Sequence, residues 1–235
     1  MFIGEIYKLE IRINKSINLN INYIRRLKMN PVCSYNSFLE FLQYSHGNND
    51  KLIPIFLIKP ATMIYLNERL HLDNHFNYFD RRAGRNVDFF LPGYAHYPSI
   101  TFNQIFPNFN YSKDAIALDT ERLGRIYYNN ADFIEFIEIL ERNSFNFIYR
   151  GDTELLFIKY LSNNQHAKGT FDFTTIYRFN LSDLFYCSNA KHEPDHIRFG
   201  RVSRFLEDVI RELQNLDNNE QELINSINHR YQMLL

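Results

Sequence analysis

An arginine-rich turn in the first half of the chain carries the side chains best suited to binding an anion. Arg81, Arg82 and Arg85 stand close together there, and a guanidinium can hold a phosphate or carboxylate through two parallel hydrogen bonds. Gly84 lies between them and would let the main chain approach a ligand closely. A solvated turn is the alternative interpretation of the same residues, because charge clusters also occur without a ligand.

The segment after this turn adds a candidate acid and an aromatic wall. Residues 87–91 form a short apolar run that predicts a strand, and Asp88 within it would need a partner if it were buried; one of the preceding arginines could be that partner. Tyr94 and Tyr97 follow the carboxyl end of this strand, where open α/β sheets bind their ligands. The predicted ligand-binding residues are Arg81, Arg82, Arg85, Tyr94 and Tyr97.

A second candidate lies at residues 150–154, where two carboxylates flank a glycine-containing turn. Asp152 and Glu154 could act as an acid/base pair or hold a divalent cation. A hairpin turn is the simpler interpretation, because glycine and aspartate are ordinary turn residues. The predicted catalytic residues are therefore Asp88, Asp152 and Glu154, provided that the arginine turn and this hairpin meet at one concave place beside the sheet.

Two histidine-containing segments could in principle bind a metal, but neither has a complete ligand set. His71 and His75 would share a face of a helix, yet Leu72 stands where the metalloprotease pattern requires glutamate. The other segment contains Cys187, His192, Asp195 and His196. It offers a single thiolate, whereas structural zinc sites use four strong ligands. We predict no metal site, and no cofactor can be named because phosphate-loop, dinucleotide-binding and nucleophile-elbow motifs are absent from the sequence.

The strands that would position these residues are predicted from hydrophobic pattern. Residues 6–24 alternate apolar and polar around a turn, which predicts a hairpin. The run at 52–58 is continuously apolar and predicts a strand buried on both faces, with Pro54 near its start or at a sheet edge. Residues 145–149 and 155–161 are predicted to be strands on either side of the glycine-containing turn.

The helices complete the predicted architecture. Residues 131–142 carry apolar side chains at helical spacing, and Ser37 with Glu40 fits a capping box at the start of a shorter helix. Two helices are expected near the C-terminus, over about 202–234. We therefore predict an α/β or α+β fold in which one domain, residues 1–235, contains a mixed sheet with helices packed on its faces.

Composition and charge narrow the class of protein. The sequence is 45% hydrophobic, and 26 basic residues nearly balance 27 acidic ones, so no strong nucleic-acid signal is present. Two cysteines do not make a disulfide framework, and the sequence contains no apolar run of about 18 residues that would predict a membrane span. A cytoplasmic protein is expected, and the abundance of Asn and Ile with little Ala is typical of a bacterial genome of low GC content.

Two functions of different classes follow. The first is a protein that binds, senses or hydrolyses a nucleotide or another phosphorylated compound, in a setting such as bacterial antiviral defence or a toxin-type operon. The second is a protein–protein interaction subunit without catalysis, which forms a homo-oligomer or binds a partner through the C-terminal helices. Tyr231, Met233 and Leu234 motivate the second hypothesis, because these apolar residues have little chain left to cover them.

Overall fold

Strands and helices account for most of the part of the chain that the structure describes. The computed structural model describes residues 29–32, 34–46, 49–59, 82–83, 87–96, 116–120, 124–163, 169–187, 193–214 and 220–235. The strands in these residues are β1 (Met29–Val32), β2 (Lys51–Leu57), β3 (Phe89–Pro92), β4 (Tyr94–His96), β5 (Ile116–Thr120), β6 (Gly124–Tyr128), β7 (Glu154–Leu161) and β8 (Thr170–Asn180). The helices are α1 (Tyr35–His46), α2 (Asn130–Asn143), α3 (Leu181–Tyr186), α4 (Asp195–Gln214) and α5 (Glu220–Leu234).

Five strands form one mixed sheet in the order β1-β3-β2-β7-β8. β1, β3 and β2 run parallel, whereas β7 is antiparallel to β2 and β8 is antiparallel to β7. β2 is the central strand and is buried from its second residue onward, as its continuous apolar run predicts. Pro54 lies in the middle of β2 opposite Phe157, so its predicted place at a strand start or edge is wrong. Proline has no N–H to donate, and it is tolerated here because the hydrogen-bonded pairing of β2 with β3 is short, with Ile55 opposite Phe90.

Helices α1 and α2 cover one face of this sheet. The ring of Phe38 in α1 lies 4.6 Å from that of Phe90 in β3 and 5.3 Å from that of Phe171 in β8. It also lies 6.1 Å from the ring of Phe136 in α2. Aromatic rings at these separations add to the stability that burial of their large apolar area provides.

Helices α4 and α5 cover the opposite face. The ring of Phe179 in β8 lies 5.6 Å from that of Phe205 in α4 and 5.4 Å from that of Tyr231 in α5. The rings of Phe205 and Tyr231 are themselves 5.5 Å apart. The predicted fold class, a mixed sheet with helices packed on its faces, is therefore confirmed.

A second, antiparallel sheet of order β4-β6-β5 branches from the end of β3. Gly93 separates β3 from β4 with a φ of +79°, a conformation that other residues rarely adopt. A Cβ atom on Gly93 would lie 2.7 Å from the Cβ of Phe133, and the N–H of Asn129 donates to the Gly93 carbonyl over 2.7 Å. This close approach fixes the start of α2 beside the carboxyl end of β3.

Of the two helices that cover the first face of the main sheet, α2 agrees with its prediction, whereas the start of α1 differs from its prediction. The helix predicted at 131–142 is confirmed as α2, and its buried residues are Phe133, Phe136, Ile137 and Leu140. The predicted cap of Ser37 with Glu40 is wrong, because α1 already begins at Tyr35. Ser34 is the capping residue: its hydroxyl accepts from the N–H of Ser37 over 3.2 Å, and the Ser37 hydroxyl accepts from the N–H of Ser34 over 3.1 Å.

The strand predicted at 145–149 is also wrong. These residues form a turn and irregular chain between α2 and β7, and Phe145 is fully exposed. The main-chain N–H of Tyr149 donates to the Glu141 side chain over 2.8 Å instead of to a neighbouring strand. The hairpin predicted at 6–24 lies outside the described residues, so the extent of a single domain stays a prediction.

Candidate ligand site at the carboxyl edge of the sheet

The end of the sheet at which β2 and β3 finish brings several charged side chains together. Leu57, the last residue of β2, lies opposite Glu154, the first residue of β7. Because β2 and β3 are parallel, both strands end here, and their neighbour β7 runs the other way. Ligands commonly bind at the carboxyl ends of parallel strands, next to a change in the order or direction of the connections. We call this end the carboxyl edge.

Glu154 is the most unusual residue of the carboxyl edge, because its charged side chain is 0% exposed. Its Oε1 accepts a hydrogen bond of 2.5 Å from Nη2 of Arg178, whose side chain is 29% exposed. Nη1 of Arg178 donates to the Ile148 carbonyl over 2.9 Å, and its guanidinium carbon lies 5.3 Å from the centre of the Phe147 ring. The other carboxylate oxygen, Oε2, is buried and has no hydrogen-bond partner among the described residues.

Burial dominates the electrostatics around this carboxylate. Burial raises the pKa of Glu154 above its ordinary value, whereas the hydrogen bond and the charge of Arg178 lower it and the nearby Asp152 raises it. Burial also raises the pKa of Tyr149, with Glu154 as the next largest cause. The pKa of Tyr128 is raised to about 12 by burial. Both phenols therefore stay neutral at physiological pH.

The loop before Glu154 is held by a chain of hydrogen bonds. The Asn180 amide donates to Asp152 Oδ2 over 3.1 Å, and the Tyr149 hydroxyl donates to the Asp152 carbonyl over 2.9 Å. The N–H of Thr153 donates to the Ser182 hydroxyl over 3.3 Å. The predicted hairpin turn at 150–154 is therefore wrong: this is the loop between α2 and β7, and it is tied to the start of α3. Asp152 remains partly exposed.

Two exposed cations lie beside this loop. Nζ of Lys59 is 5.5 Å from the centre of the Tyr149 ring and 3.7 Å from where a Cβ on Gly151 would lie. Gly151 has a φ of +91°. Arg150 is exposed, and its charge lowers the pKa of Glu154, so it lies within electrostatic reach of that carboxylate. The carboxyl-edge cluster, as we define it, consists of Lys59, Tyr149, Arg150, Asp152, Glu154 and Arg178.

The structure brings only two of the three predicted catalytic residues together. Asp152 and Glu154 belong to the cluster, but Asp88 precedes the first residue of β3 and is half-buried there. Pro92, the last residue of β3, is four positions further along the chain, which corresponds to about 13 Å along a strand. Asp88 therefore lies at the opposite end of β3, away from the carboxyl edge, and its prediction as part of one acid/base site with Glu154 is corrected.

The predicted aromatic wall also differs from what the structure shows. Tyr94 is 1% exposed, and its hydroxyl donates to the Ile58 carbonyl over 2.9 Å. It therefore supports the end of β2 from inside the core and has no free surface for a ligand in this conformation. Tyr97, Arg81 and Arg85 lie outside the described residues, so their predicted roles stay predictions.

Arg82 makes its contacts on α4. Its Nε lies 3.0 Å from Oε2 of Glu207, and the Gln214 side chain donates to the Arg82 carbonyl over 2.7 Å. The partner of Glu154, by contrast, is Arg178 on β8. The contacts shown for Arg82 and Glu154 thus lie on different elements, and a meeting of the arginine turn with the carboxylates stays a prediction.

Four members of the cluster are not predicted from the sequence: Lys59, Tyr149, Arg150 and Arg178. Arg178 stands in the segment that forms β8, and nothing in the sequence pattern of that segment distinguishes it from a solvated residue. Lys59 directly follows the apolar run at 52–58, and a lysine after a strand is equally typical of a solvated position. Arg178 alone leaves a signal: pairing its segment with 155–161 as a hairpin places it diagonally across from Glu154.

Metal binding and membrane insertion can be considered only for the part of the chain that the structure describes. Within it, no group of three or more His, Cys, Asp and Glu side chains could hold a metal ion. Cys187 is a free, half-buried cysteine, whereas His71, His75 and His192 lie outside the described residues. None of the described helices is both long enough and apolar enough to cross a membrane.

Comparison with known proteins finds no matching family model, no matching curated protein and no matching solved structure. Function must therefore be inferred from the residues of this chain. A fold by itself supports many unrelated activities, so the inference depends on the geometry and charge of the carboxyl-edge cluster.

Proposed function

We propose that the protein binds a small anionic ligand, a nucleotide or another phosphorylated compound, at the carboxyl edge of its main sheet. The observation that carries this proposal is Glu154, a carboxylate without exposure whose Oε2 has no partner among the described residues. A buried charged group that is only partly satisfied is costly to keep. Such groups are concentrated at functional sites.

The cations around Glu154 support an anionic ligand. Lys59 and Arg150 are exposed beside Gly151, and Arg178 keeps 29% of its side chain exposed. The cluster thus contains three positive groups and two carboxylates, and the Glu141 carboxylate lies next to it, bonded to the Tyr149 N–H. Glycine at position 151 leaves the main chain accessible next to the Lys59 ammonium, and ammonium and guanidinium groups are the usual side-chain partners of phosphate.

Sensing and hydrolysis are two uses of such a site. For hydrolysis, the partly exposed Asp152 would be the group that accepts a proton from water, because a general base must reach its water directly. Glu154 is enclosed and would act through its ion pair with the partly exposed Arg178. A sensing protein would need only the binding step, and the expected setting in bacterial defence stays a prediction.

Isothermal titration against a nucleotide panel tests the binding proposal. We expect the double substitution Lys59→Gln, Arg150→Gln to weaken binding by about tenfold or more, corresponding to about 1.4 kcal/mol. Arg142→Gln is the matched control, since Arg142 is an exposed arginine in the last turn of α2. Unchanged affinity in the double variant, or an equal loss in the control, would contradict the proposed site.

The interaction subunit remains a second candidate because large apolar side chains are exposed. Phe145 is 100% exposed, Met233 is 71% exposed and Ile148 is 68% exposed. Tyr231 and Leu234, by contrast, pack against the core, which removes part of the original motive for this hypothesis. Light scattering of Phe145→Ser and Met233→Ser variants tests it: a lower mass than the wild type supports self-association, and an unaltered mass counts against it.

A further inference from the structure

The solvent-facing side of α2 combines large apolar side chains with charged ones. Ile134 is 45% exposed, and Phe145, two residues beyond the end of α2, is 100% exposed. Glu135, Glu138 and Arg142 are exposed as well. Their spacing of three and four residues places side chains on one face of a helix. We call this surface the α2 face, and it consists of Ile134, Glu135, Glu138, Arg142 and Phe145.

The charges of the α2 face are separated along the helix axis. The two glutamates precede Arg142, which lies in the last turn. In the described part of the chain, neither glutamate forms an ion pair, and nor does Arg142. Glu141, next to Arg142, already accepts from the N–H of Tyr149 over 2.8 Å. The α2 face therefore has an acidic part and a basic end, both open to contact from outside.

A surface with this separation of charge is complementary to itself. In a two-fold dimer the same patch is used by both copies, so that residue i contacts residue j and residue j contacts residue i. If two copies of α2 pack antiparallel with the two-fold axis near residue 139, Glu135 of each copy lies opposite Arg142 of the other. The same arrangement places Ile134 of each copy beside Phe145 of the other, so the exposed apolar side chains cover one another.

We infer that the protein forms a homodimer through the α2 face. A partner that is wholly basic would be repelled by Arg142, and a wholly acidic one by the two glutamates, whereas a second copy of this chain matches both ends. The inference is independent of ligand binding at the carboxyl edge. It also places self-association on α2 instead of the C-terminal helices, where Tyr231 and Leu234 pack against the core. One helix face with its adjoining loop buries less than about 1,200 Å² in total, so we expect a weak dimer whose population depends on concentration.

Charge reversal tests this inference by light scattering and sedimentation over a concentration series. Arg142→Glu makes each basic end acidic, and Glu135→Arg makes part of each acidic region basic. Either variant alone brings like charges together at both ends of its own homodimer, so we expect dimerisation to weaken by about tenfold or more. An equal mixture of the two variants should restore it, because the glutamates of one variant then face the arginines of the other. A fluorescent label on one variant reports this mixed dimer.

Two further variants fix the surface and the register. Arg204→Glu is the matched control, since Arg204 is an exposed arginine on α4, on the opposite side of the main sheet; it should dimerise as the wild type does. Glu138 lies close to the proposed two-fold axis and faces Glu138 of the other copy. Glu138→Gln removes this repulsion and should tighten the dimer by about twofold or more.

The outcomes separate this inference from the proposed function. A monomeric wild type at the highest concentration overturns it, as does a mixture of the two reversed variants that stays monomeric. Dimerisation that is unchanged in both reversed variants but lost in Met233→Ser places self-association at the C-terminus and also overturns it. So does an equal loss in Arg204→Glu, or a weaker dimer in Glu138→Gln. The nucleotide titration reports the ligand site separately, and its result leaves this inference unchanged.

Discussion

Removing Arg178 should destabilise the protein far more than neutralising Glu154, although the two form a single ion pair. The asymmetry arises from exposure: the Glu154 side chain is 0% exposed, and the Arg178 side chain is 29% exposed. Arg178→Ala leaves a buried carboxylate without its counter-charge. Glu154→Gln leaves a guanidinium that can still be hydrated and still donates to the Ile148 carbonyl.

The expected magnitudes differ enough to be measured. Breaking a buried pair so that one charge stays buried alone costs about 3–5 kcal/mol of unfolding free energy, which is the range expected for Arg178→Ala. A partly exposed partner loses little, so Glu154→Gln should cost about 1 kcal/mol or less. The double variant contains no buried charge, so it should recover most of the loss seen in Arg178→Ala.

Urea unfolding followed by tyrosine fluorescence suits this comparison, because the chain has 16 tyrosines and no tryptophan. Lys159→Ala is the control: Lys159 pairs with Glu220 over 3.2 Å with side chains 35% and 40% exposed, and its loss should cost about 1 kcal/mol or less. If Glu154→Gln proves as destabilising as Arg178→Ala, the pair is a symmetric structural bridge. The argument for an incompletely satisfied Glu154 would then be refuted.

Three further predictions concern the same end of the sheet and are measured by urea unfolding. The pKa of Glu154 is raised in the folded state, so lowering the pH should stabilise the wild type relative to Glu154→Gln. The gain in unfolding free energy should build up as the pH falls from neutral toward 4.5, the ordinary pKa, and should be complete below that pH. A difference in stability that does not change with pH would contradict this. Gly151→Ala should cost only the backbone strain of a positive φ, about 1–2 kcal/mol of unfolding free energy. Gly93→Ala should cost about 1–3 kcal/mol more, because the added Cβ would lie 2.7 Å from the Cβ of Phe133. Equal losses in the two variants would count against the close packing of Gly93 on Phe133. Tyr94→Phe should cost about 1–3 kcal/mol because a buried carbonyl loses its donor, and a neutral effect would show that this bond contributes little.

The parts of the fold that the sequence predicts best are those whose pattern is local. The run at 52–58 and the helix at 131–142 were recognised because burial on two faces and burial on one helical face each leave a distinct periodicity. Residues 145–149 have strand-like composition, but the N–H of Tyr149 is bound by Glu141 of the preceding helix. Tertiary contacts therefore override local preference there.

The candidate site was predicted only in part, because its geometry depends on long-range pairing. Asp152 and Glu154 could be grouped since they are neighbours in sequence. Arg178 is 24 residues from Glu154 and meets it only through the register of β7 with β8. Asp88 is grouped with them because the sequence does not reveal strand direction, whereas the parallel arrangement of β3 with β2 places it at the amino end of β3, away from the carboxyl edge.

Hydrogen–deuterium exchange with and without a ligand from the nucleotide panel tests the central claim most directly. The proposed site predicts that ligand slows exchange in the loop at 147–153 and in the last residues of β8, where Arg178 and Asn180 lie. Slowing that is confined to α4 around Glu207, or to other segments remote from Glu154, would contradict it, as would unchanged exchange at saturating ligand.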